Sequence, residues 1–383
     1  MFGREDIKLM FGEGMAWLGK HQIADKDSKH YGSIYFPTEN RYCNRDTGCT
    51  TALFMRQHHI TGDRKWKKKA SLARDYLLDV QLENGGYQEL RGLENSDNGS
   101  AVNTSIIADN LIKAFSFGLK YSLRDLEALK KMADFELTLE WKPGAFYHDT
   151  NHLGAFDDNR GCQWGNEGSQ RDCQNSTALS AMMLQRIYYF LQKEGYPVKK
   201  EWLQAAARGI KHLLESQMEN GHWAYCVNAD WYDVGHQGMT MFHLEQAGEF
   251  PPYNTDNRIK TALIKGGKWL TKEGILHTEK GNKINWAMER SACIYFTWGY
   301  FVVSAPLCRL AHINRSNRRF WQKEATELLR YVRTDLWDNP FKEKEGPFRV
   351  TEGGVVKGYS FFGQSLGWCL YQLDDLIEHM RWF

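Results

Sequence analysis

Apolar residues return every three or four positions through most of this chain, the period of helices buried along one side. The pattern predicts helices over 4–20, 47–61, 64–82, 101–119, 122–139, 174–194, 199–218, 234–248, 257–273, 286–313, 316–336 and 359–380. Strand-type alternation is scarce, and short extended pieces are expected only at 86–90 and 223–227. The helices are of two kinds. Those over 64–82, 122–139, 199–218, 257–273 and 316–336 keep a charged face and belong against water. Those over 101–119, 174–194, 234–248, 286–313 and 359–380 are apolar or small nearly all round and belong between other elements.

A repeat runs through this pattern. Gln81-Leu82-Glu83-Asn84-Gly85-Gly86-Tyr87 returns 136 residues later as Gln217-Met218-Glu219-Asn220-Gly221-His222-Trp223. The register holds upstream, where Trp66 matches Trp202, Ala70 matches Ala206, and Leu77-Leu78 matches Leu213-Leu214. A helix, an Asn-Gly turn and a closing aromatic have therefore been used at least twice, the mark of stacked supersecondary units. Tyr87 and Trp223 read as locks that hold each turn against the next helix. Alternating wet and buried helices joined in hairpins predict an all-α fold, an (α/α)6 or (α/α)7 barrel or toroid, as one domain over 1–383. The stretch 141–173 is the longest candidate insertion. Inner helices of a toroid run parallel, so the segments that lead into them should gather at one end. Those segments are polar: Arg41 to Thr47, Asn95 to Asn103, Asp157 to Asn175, Asn228 to His236, Lys283 to Arg290 and Gly353 to Tyr359. The N–H groups of the helix starts would add positive dipole ends there, suited to an anionic ligand.

Charge narrows the function. With 49 basic and 47 acidic residues, the chain lacks the broad basic field that non-specific nucleic-acid binding needs. The run Arg64-Lys65-Trp66-Lys67-Lys68-Lys69 reads as a solvated helix face. The apolar run from Ala292 to Leu310 is interrupted by Thr297, Gly299, Ser304 and Pro306, so it reads as a buried helix and no membrane span is expected. Residues 1–20 carry Glu5, Asp6 and Glu13 and lack the apolar stretch of a secretory leader. As it stands the chain reads as cytoplasmic, and as secreted or periplasmic if a leader has been trimmed. The eight cysteines include no CxxC pair, and Cys293, Cys308 and Cys369 read as small buried hydrophobes. Aromatic residues make up 14% of the chain, and several fall in polar segments where core packing explains them poorly. Flat rings of this kind stack on sugars.

Candidate chemistry follows from the leading segments. Tyr232 and His236 are four apart, so both face one way on a helix that begins by Tyr232, as a proton-transfer pair; a capped start with Asp233 as N-cap is the plainer alternative. Glu289 and Arg290 open the helix that also carries Tyr295, and Arg290 could grip a carboxylate through two hydrogen bonds. Arg160, Gln163 and Trp164 offer a charge, an amide and a stacking plane in one loop. Asn103 and Asn175 sit at helix starts, where capping is the ordinary role and donation to a substrate carboxyl is the other. Trp286 and Tyr359 complete the set as binding residues. Asp157, Asp158 and Glu167 do not have EF-hand spacing, and Cys226 with His236 lacks a zinc pattern. No phosphate-binding loop, dinucleotide fingerprint, His-Glu-x-x-His or nucleophile elbow occurs. No cofactor or metal is expected.

The turns at 81–87 and 217–223 resemble those of several (α/α) barrel groups, including terpene cyclases, protein prenyltransferases and pectate, alginate or glucuronan lyases. Tyr232-Asp233-Val234-Gly235-His236-Gln237 and Asn285-Trp286-x-x-x-Arg290 resemble toroid lyases that act on uronate polysaccharides. The resemblance implies β-elimination on an acidic polysaccharide or oligosaccharide, with the carboxylate neutralised and a Tyr or His as base and acid. It places Arg290 with Asn175 or Glu289 on the carboxyl, and His236 with Tyr232 or Tyr295 on the protons. Arg160, Gln163, Trp164, Asn103, Trp286 and Tyr359 would hold neighbouring sugars. A glycoside hydrolase on the same fold, such as an unsaturated uronyl hydrolase, would need two carboxylates at a set separation. A sugar epimerase shares the proton abstraction, and a glycan-binding toroid is the non-enzymatic alternative.

Overall fold

The computed structural model describes residues 2–37, 41–88, 90–91, 99–146, 173–225, 234–285, 298–337, 351–352, 355–356 and 366–379. Its helices are α1 (Arg4–His21), α2 (Asn44–Thr61), α3 (Arg64–Val80), α4 (Ala101–Ser116), α5 (Leu123–Thr138), α6 (Gln174–Lys193), α7 (Lys200–Ser216), α8 (Val234–Ala247), α9 (Asn257–Trp269), α10 (Trp298–Ile313), α11 (Arg318–Tyr331) and α12 (Leu366–His379). The even-numbered helices form an inner ring in which each packs on the next even-numbered helix, and α12 closes back on α2. The odd-numbered helices lie outside them. The fold is therefore the expected all-α toroid, with six inner helices among the described residues. The unassigned pair from the sequence falls into place: α1 is outer and α2 is inner.

Local signals set these boundaries. Asp63 and Asp256 cap α3 and α9 by accepting the Lys65 and Arg258 N–H groups at 2.9 and 2.8 Å. Asp125 reaches back to the Ser122 N–H, 2.8 Å away, in a capping box at the start of α5. The outer helices α9 and α11 each run on into one π-helical turn, Leu270–Gly274 and Val332–Leu336. Inner helices are wrapped on all sides; every residue of α10 from Trp298 to Ala311 is buried. Pro306, inside α10, removes the N–H that would have bonded the Val302 carbonyl. That carbonyl faces Gly238 of α8, where a β-carbon would stand only 2.6 Å away.

The sequence repeat is a structural device. In each copy the glutamine amide bridges the turn to the next outer helix. Gln81 donates to the carbonyls of Gly85 and Ala128 at 2.9 and 3.0 Å, and Gln217 donates to those of Gly221 and Ala262, both at 2.9 Å. Asn84 and Asn220 accept the N–H two residues on, each at 3.0 Å. Gly85 and Gly221 have φ of 93° and 94°, and a β-carbon on either would lie 2.3 Å from a carbonyl of the neighbouring helix, at Lys131 or Lys265. Only glycine serves both demands. A similar bridge occurs earlier along the chain, where the sequence repeat did not reveal it: Gln22 donates to the Gly32 and Lys69 carbonyls at 3.0 and 2.9 Å. Tyr87 and Trp223 are the expected locks. The Tyr87 N–H meets Thr104 Oγ1 at 3.0 Å and its hydroxyl meets the Leu77 carbonyl at 3.1 Å. The Trp223 N–H meets Gln237 Oε1 at 2.8 Å and its indole meets the Leu213 carbonyl at 2.7 Å.

Short antiparallel strand pieces hang from these turns. Tyr35–Phe36, Arg41–Cys43 and Leu90–Arg91 form one small sheet, and Ile275–Thr278 pairs with Gly281–Ile284. The extended piece expected after Gly86 is present as Leu90–Arg91; residues 223–225 form no strand.

At the trailing, C-terminal ends of the inner helices, charges close the ring. Arg309 of α10 holds Asp375 of α12 at 3.0 Å, together with Glu245 and Glu249 of and just after α8. Arg186 of α6 pairs with Asp109 of α4, and Arg56 of α2 pairs with Asp374 and Glu378 of α12 at 3.1 and 2.5 Å. Tyr371 of α12 donates to Asp109 at 2.8 Å and packs edge-on against Phe242 of α8, 6.1 Å between centroids. Since neither α4 nor α8 is adjacent to α12 in the ring, these contacts cross the axis and fill it at this level.

Candidate active site

At the opposite, leading end each inner helix presents a side chain able to meet a polar ligand. α2 supplies Arg45, which shares a helix face with Cys49 and Arg56. α4 supplies Asn103, α6 Asn175, α8 His236, α10 Trp298 and α12 Trp368, with Tyr225 contributed by the segment just before α8. Four of these side chains and Tyr225 touch in sequence around the ring. The Arg45 guanidinium lies 5.4 Å from the Trp368 ring centre. Trp368 and Trp298 stand 5.3 Å apart at 34°. Trp298 and His236 meet edge to face at 5.4 Å and 74°, and the Tyr225 ring also lies against that imidazole, 4.3 Å between centroids. His236 is half-buried, and both tryptophans are buried.

The two asparagines are not caps. Ser100 caps α4 by accepting the Asn103 N–H at 3.4 Å, and Cys173 is the N-cap residue of α6. Their amides are thereby released for other partners. Asn103 is buried, and its Oδ1 has no hydrogen-bond partner among the described residues; Asn175 Oδ1 accepts the Cys173 thiol at 3.0 Å. Ser176 Oγ on α6 and Trp368 Nε1 on α12 are likewise buried without a partner among the described residues. Buried polar groups are almost always satisfied, so the unsatisfied ones on the leading ends of α4, α6 and α12 are points where polar ligand atoms or water belong.

One carboxyl is built into this end. Asp46 of α2 is fully buried; it accepts the Trp368 N–H at 3.2 Å and the Cys43 thiol at 3.3 Å. Burial pushes its pKa up to about 7, against the pull of Arg45 and its hydrogen bonds. Burial likewise raises the Cys43, Cys49 and Cys369 thiols well above the usual range, which makes them inert at neutral pH. Among the described residues no three His, Cys, Asp or Glu side chains are placed to hold a metal.

Of the residues singled out from the sequence, His236, Asn103 and Asn175 stand on three leading ends of one ring. Tyr232, Arg290, Tyr295, Glu289, Arg160, Gln163, Trp164, Trp286 and Tyr359 lie outside the described residues, as does Asp233. Sequence reasoning passed over Arg45, Asp46, Tyr225, Trp298 and Trp368. Arg45 and Asp46 were within a segment marked as polar; the two tryptophans were hidden inside helices read only as apolar.

A cavity of about 790 Å³ opens at the other end of the toroid, lined by Glu245, Glu249, Tyr253, Asp256, His312 and Arg315 among others. Its carboxylates Glu245 and Glu249 are already engaged by Arg309, and it is separated from His236 by the length of α8.

No protein-family model matches this chain, and no curated relative matches it either. Solved structures match over nearly the whole length. A D-mannose isomerase aligns with a TM-score of 0.67 at 15% identity, covering 97% of this chain and 98% of its own. Cellobiose 2-epimerase from Bacillus thermoamylovorans aligns with a TM-score of 0.71 at 12% identity and the same coverage. An unsaturated glucuronyl hydrolase specific for heparin aligns with a TM-score of 0.64 at 12% identity, covering 98% of both chains. At this identity the likeness establishes the toroid fold. No described helix is long and apolar enough to cross a membrane.

Proposed function

We propose that this protein is a sugar-processing enzyme whose site is the leading end of the toroid, and that His236 moves a proton at the sugar carbon next to a carbonyl. The observation that carries the reading is the His236 imidazole, half-buried against Tyr225 and Trp298 in a run of contacting side chains that also holds Arg45. An open-chain reducing sugar would offer its C2 proton to this base. The negative charge that develops on the carbonyl oxygen would face Arg45 and the N-terminal dipoles of the inner helices, a fixed electrostatic environment of the kind that lowers such barriers. Return of the proton to the opposite face of C2 gives the epimer, and return to C1 gives the isomer. A D-mannose isomerase and a cellobiose 2-epimerase among the structural neighbours are named for such reactions, which supports this reading, as the unsaturated glucuronyl hydrolase supports hydrolysis.

A second reading has its own observation. Arg45 and the converging helix starts suit a carboxylate as well as an enediolate, so β-elimination on a uronate stays in play. There Arg290 with Asn175 or Glu289 would neutralise the carboxyl, His236 with Tyr232 or Tyr295 would carry the protons, and Arg160, Gln163, Trp164, Asn103, Trp286 and Tyr359 would bind flanking sugars. Hydrolysis is less well supported at the described residues, because the carboxyl there, Asp46, is buried and occupied by Trp368 and Cys43.

Incubation in deuterated water with a panel of reducing sugars and polyuronates separates these. Deuterium at C2 without an ultraviolet chromophore is the expected result. A new conjugated double bond would make it a lyase. New reducing ends with neither deuterium nor chromophore would remove the proton-transfer reading.

A further inference from the structure

We propose that Asp46 is a positioning residue for His236: its carboxyl fastens the first turn of α12 to α2, and through Trp368 and Trp298 it sets where the imidazole stands. The proposal rests on the reading of His236 as the proton-transfer group. The first N–H groups of a helix have no partner within it. For α12 one of them, on Trp368, is met at 3.2 Å by a side chain from the opposite end of the chain, Asp46. The fit is close. A β-carbon on Gly367 would lie 2.8 Å from Asp46 Oδ1, 3.0 Å from its carbonyl oxygen and 3.3 Å from Cys49 Cβ. A side chain at 367 would press on the Asp46 carboxyl and displace it from the Trp368 N–H.

From this fastening each link is a single contact. Trp368 is held between the Arg45 guanidinium at 5.4 Å and Trp298 at 5.3 Å, and Trp298 meets His236 edge-on at 5.4 Å. Four inner helices, α2, α12, α10 and α8, are thereby tied in series at their leading ends. A carboxyl buried among thiols is expensive to desolvate. An exposed Ser or Asp caps a helix without that cost, so the buried acid is better explained by what it holds in place than by capping alone. Positional errors on the order of 1 Å cost up to about a hundredfold in rate.

Three variants test this. Asp46→Ala removes the acceptor, Asp46→Asn keeps an oxygen for the Trp368 N–H, and Gly367→Ala strains the same contact from the α12 side. The readouts are the near-ultraviolet circular-dichroism couplet of the Trp298–Trp368 pair, the His236 ring-proton resonances, and kcat separately from KM for sugar deuterium exchange. Asp46→Ala and Gly367→Ala should weaken the couplet, shift the His236 resonances and lower kcat by about tenfold to a hundredfold with a smaller change in KM; Asp46→Asn should restore all three. If Asp46→Ala fails to fold, Gly367→Ala against Asp46→Asn carries the comparison. Unmoved couplet and resonances in a folded Asp46→Ala or Gly367→Ala protein would overturn the proposal. So would an Asp46→Asn protein as slow as Asp46→Ala, because the carboxyl itself would then be the acting group. Should the unmodified protein exchange no sugar proton, the functional reading fails, while the couplet and resonances still decide the link from Asp46 to His236.

Discussion

At their leading ends the inner helices carry Arg45, Asn103, Asn175, His236, Trp298 and Trp368, with Asn103 and Trp368 each keeping a polar atom unmatched among the described residues. At their trailing ends the same helices carry Arg56, Asp109, Arg186, Glu245, Arg309 and Asp375, ionised side chains engaged mainly with one another. Both ends are polar, and buried polar atoms without a partner among the described residues occur at both, on Gln246 and Gln372 as well as on Asn103 and Trp368. What differs is the ion network, which belongs to the trailing end. Burial would lower Arg309, but Asp375, Glu245 and Glu249 together hold it well above the ordinary range. His243, fully buried near Arg186, Lys113 and Arg309, is held well below the ordinary histidine range by desolvation first and those cations second. Such perturbed groups often mark active sites. Here the perturbations of Arg309 and His243 accompany an ion network that crosses the axis, which accounts for them without any chemistry.

The comparison can be broken most directly at Arg309. Arg309→Met strands the Asp375 and Glu245 carboxylates at the buried end and should cost about 3–5 kcal/mol of stability, read by urea unfolding; the activity of the fraction that remains folded should be unchanged. A loss of activity without a loss of stability would mean that the trailing end takes part in the chemistry. His236→Gln is the mirror experiment. It should lower kcat by roughly 10²–10⁴-fold and leave the melting temperature within a degree or so of the parent. A strongly destabilised His236→Gln protein would put this residue in the structural half of the molecule.

Smaller effects sharpen the picture. Gly221→Ala must adopt a left-handed conformation against the Lys265 carbonyl and should cost at least about 1–2 kcal/mol, with Gly85→Ala costing a similar amount because the two turns are copies. Unequal costs would show that the repeat is conserved in shape but not in load. The gentlest test uses Glu136 of α5, buried and reached by the Ser105 and Ser180 hydroxyls at 3.2 and 2.6 Å. Desolvation raises its pKa from 4.5 to about 8, against those hydrogen bonds. The folded protein thus keeps a proton that the unfolded chain releases, so this group's contribution to stability is complete below the ordinary carboxylate range and is lost as pH rises toward about 8. Glu136→Gln should abolish that slope: near-parental stability at acidic pH and a relative gain on the alkaline side, measured by urea melts across pH. An unchanged slope would show that Glu136 is ionised in the folded protein.

Residue spacing alone determined the toroid. The helical period, the wet or dry faces and the 136-residue repeat are all local, and a helix or turn is decided by neighbours a few positions away. The same spacing placed His236, Asn103 and Asn175 at inner-helix starts, because polar segments before apolar helices are visible in one dimension. What only the tertiary structure decided is how those starts meet. Nothing in the sequence pairs Asp46 with Trp368 or Arg56 with Asp374, more than 300 positions apart. Trp298 and Trp368 read as core until their rings were seen to link Arg45 to His236. Ser100 and Cys173, rather than the asparagines, turned out to occupy the caps. Periodicity reports which side of a helix is buried; which helix lies against that side is fixed by closure of the ring, and closure is a property of the whole chain.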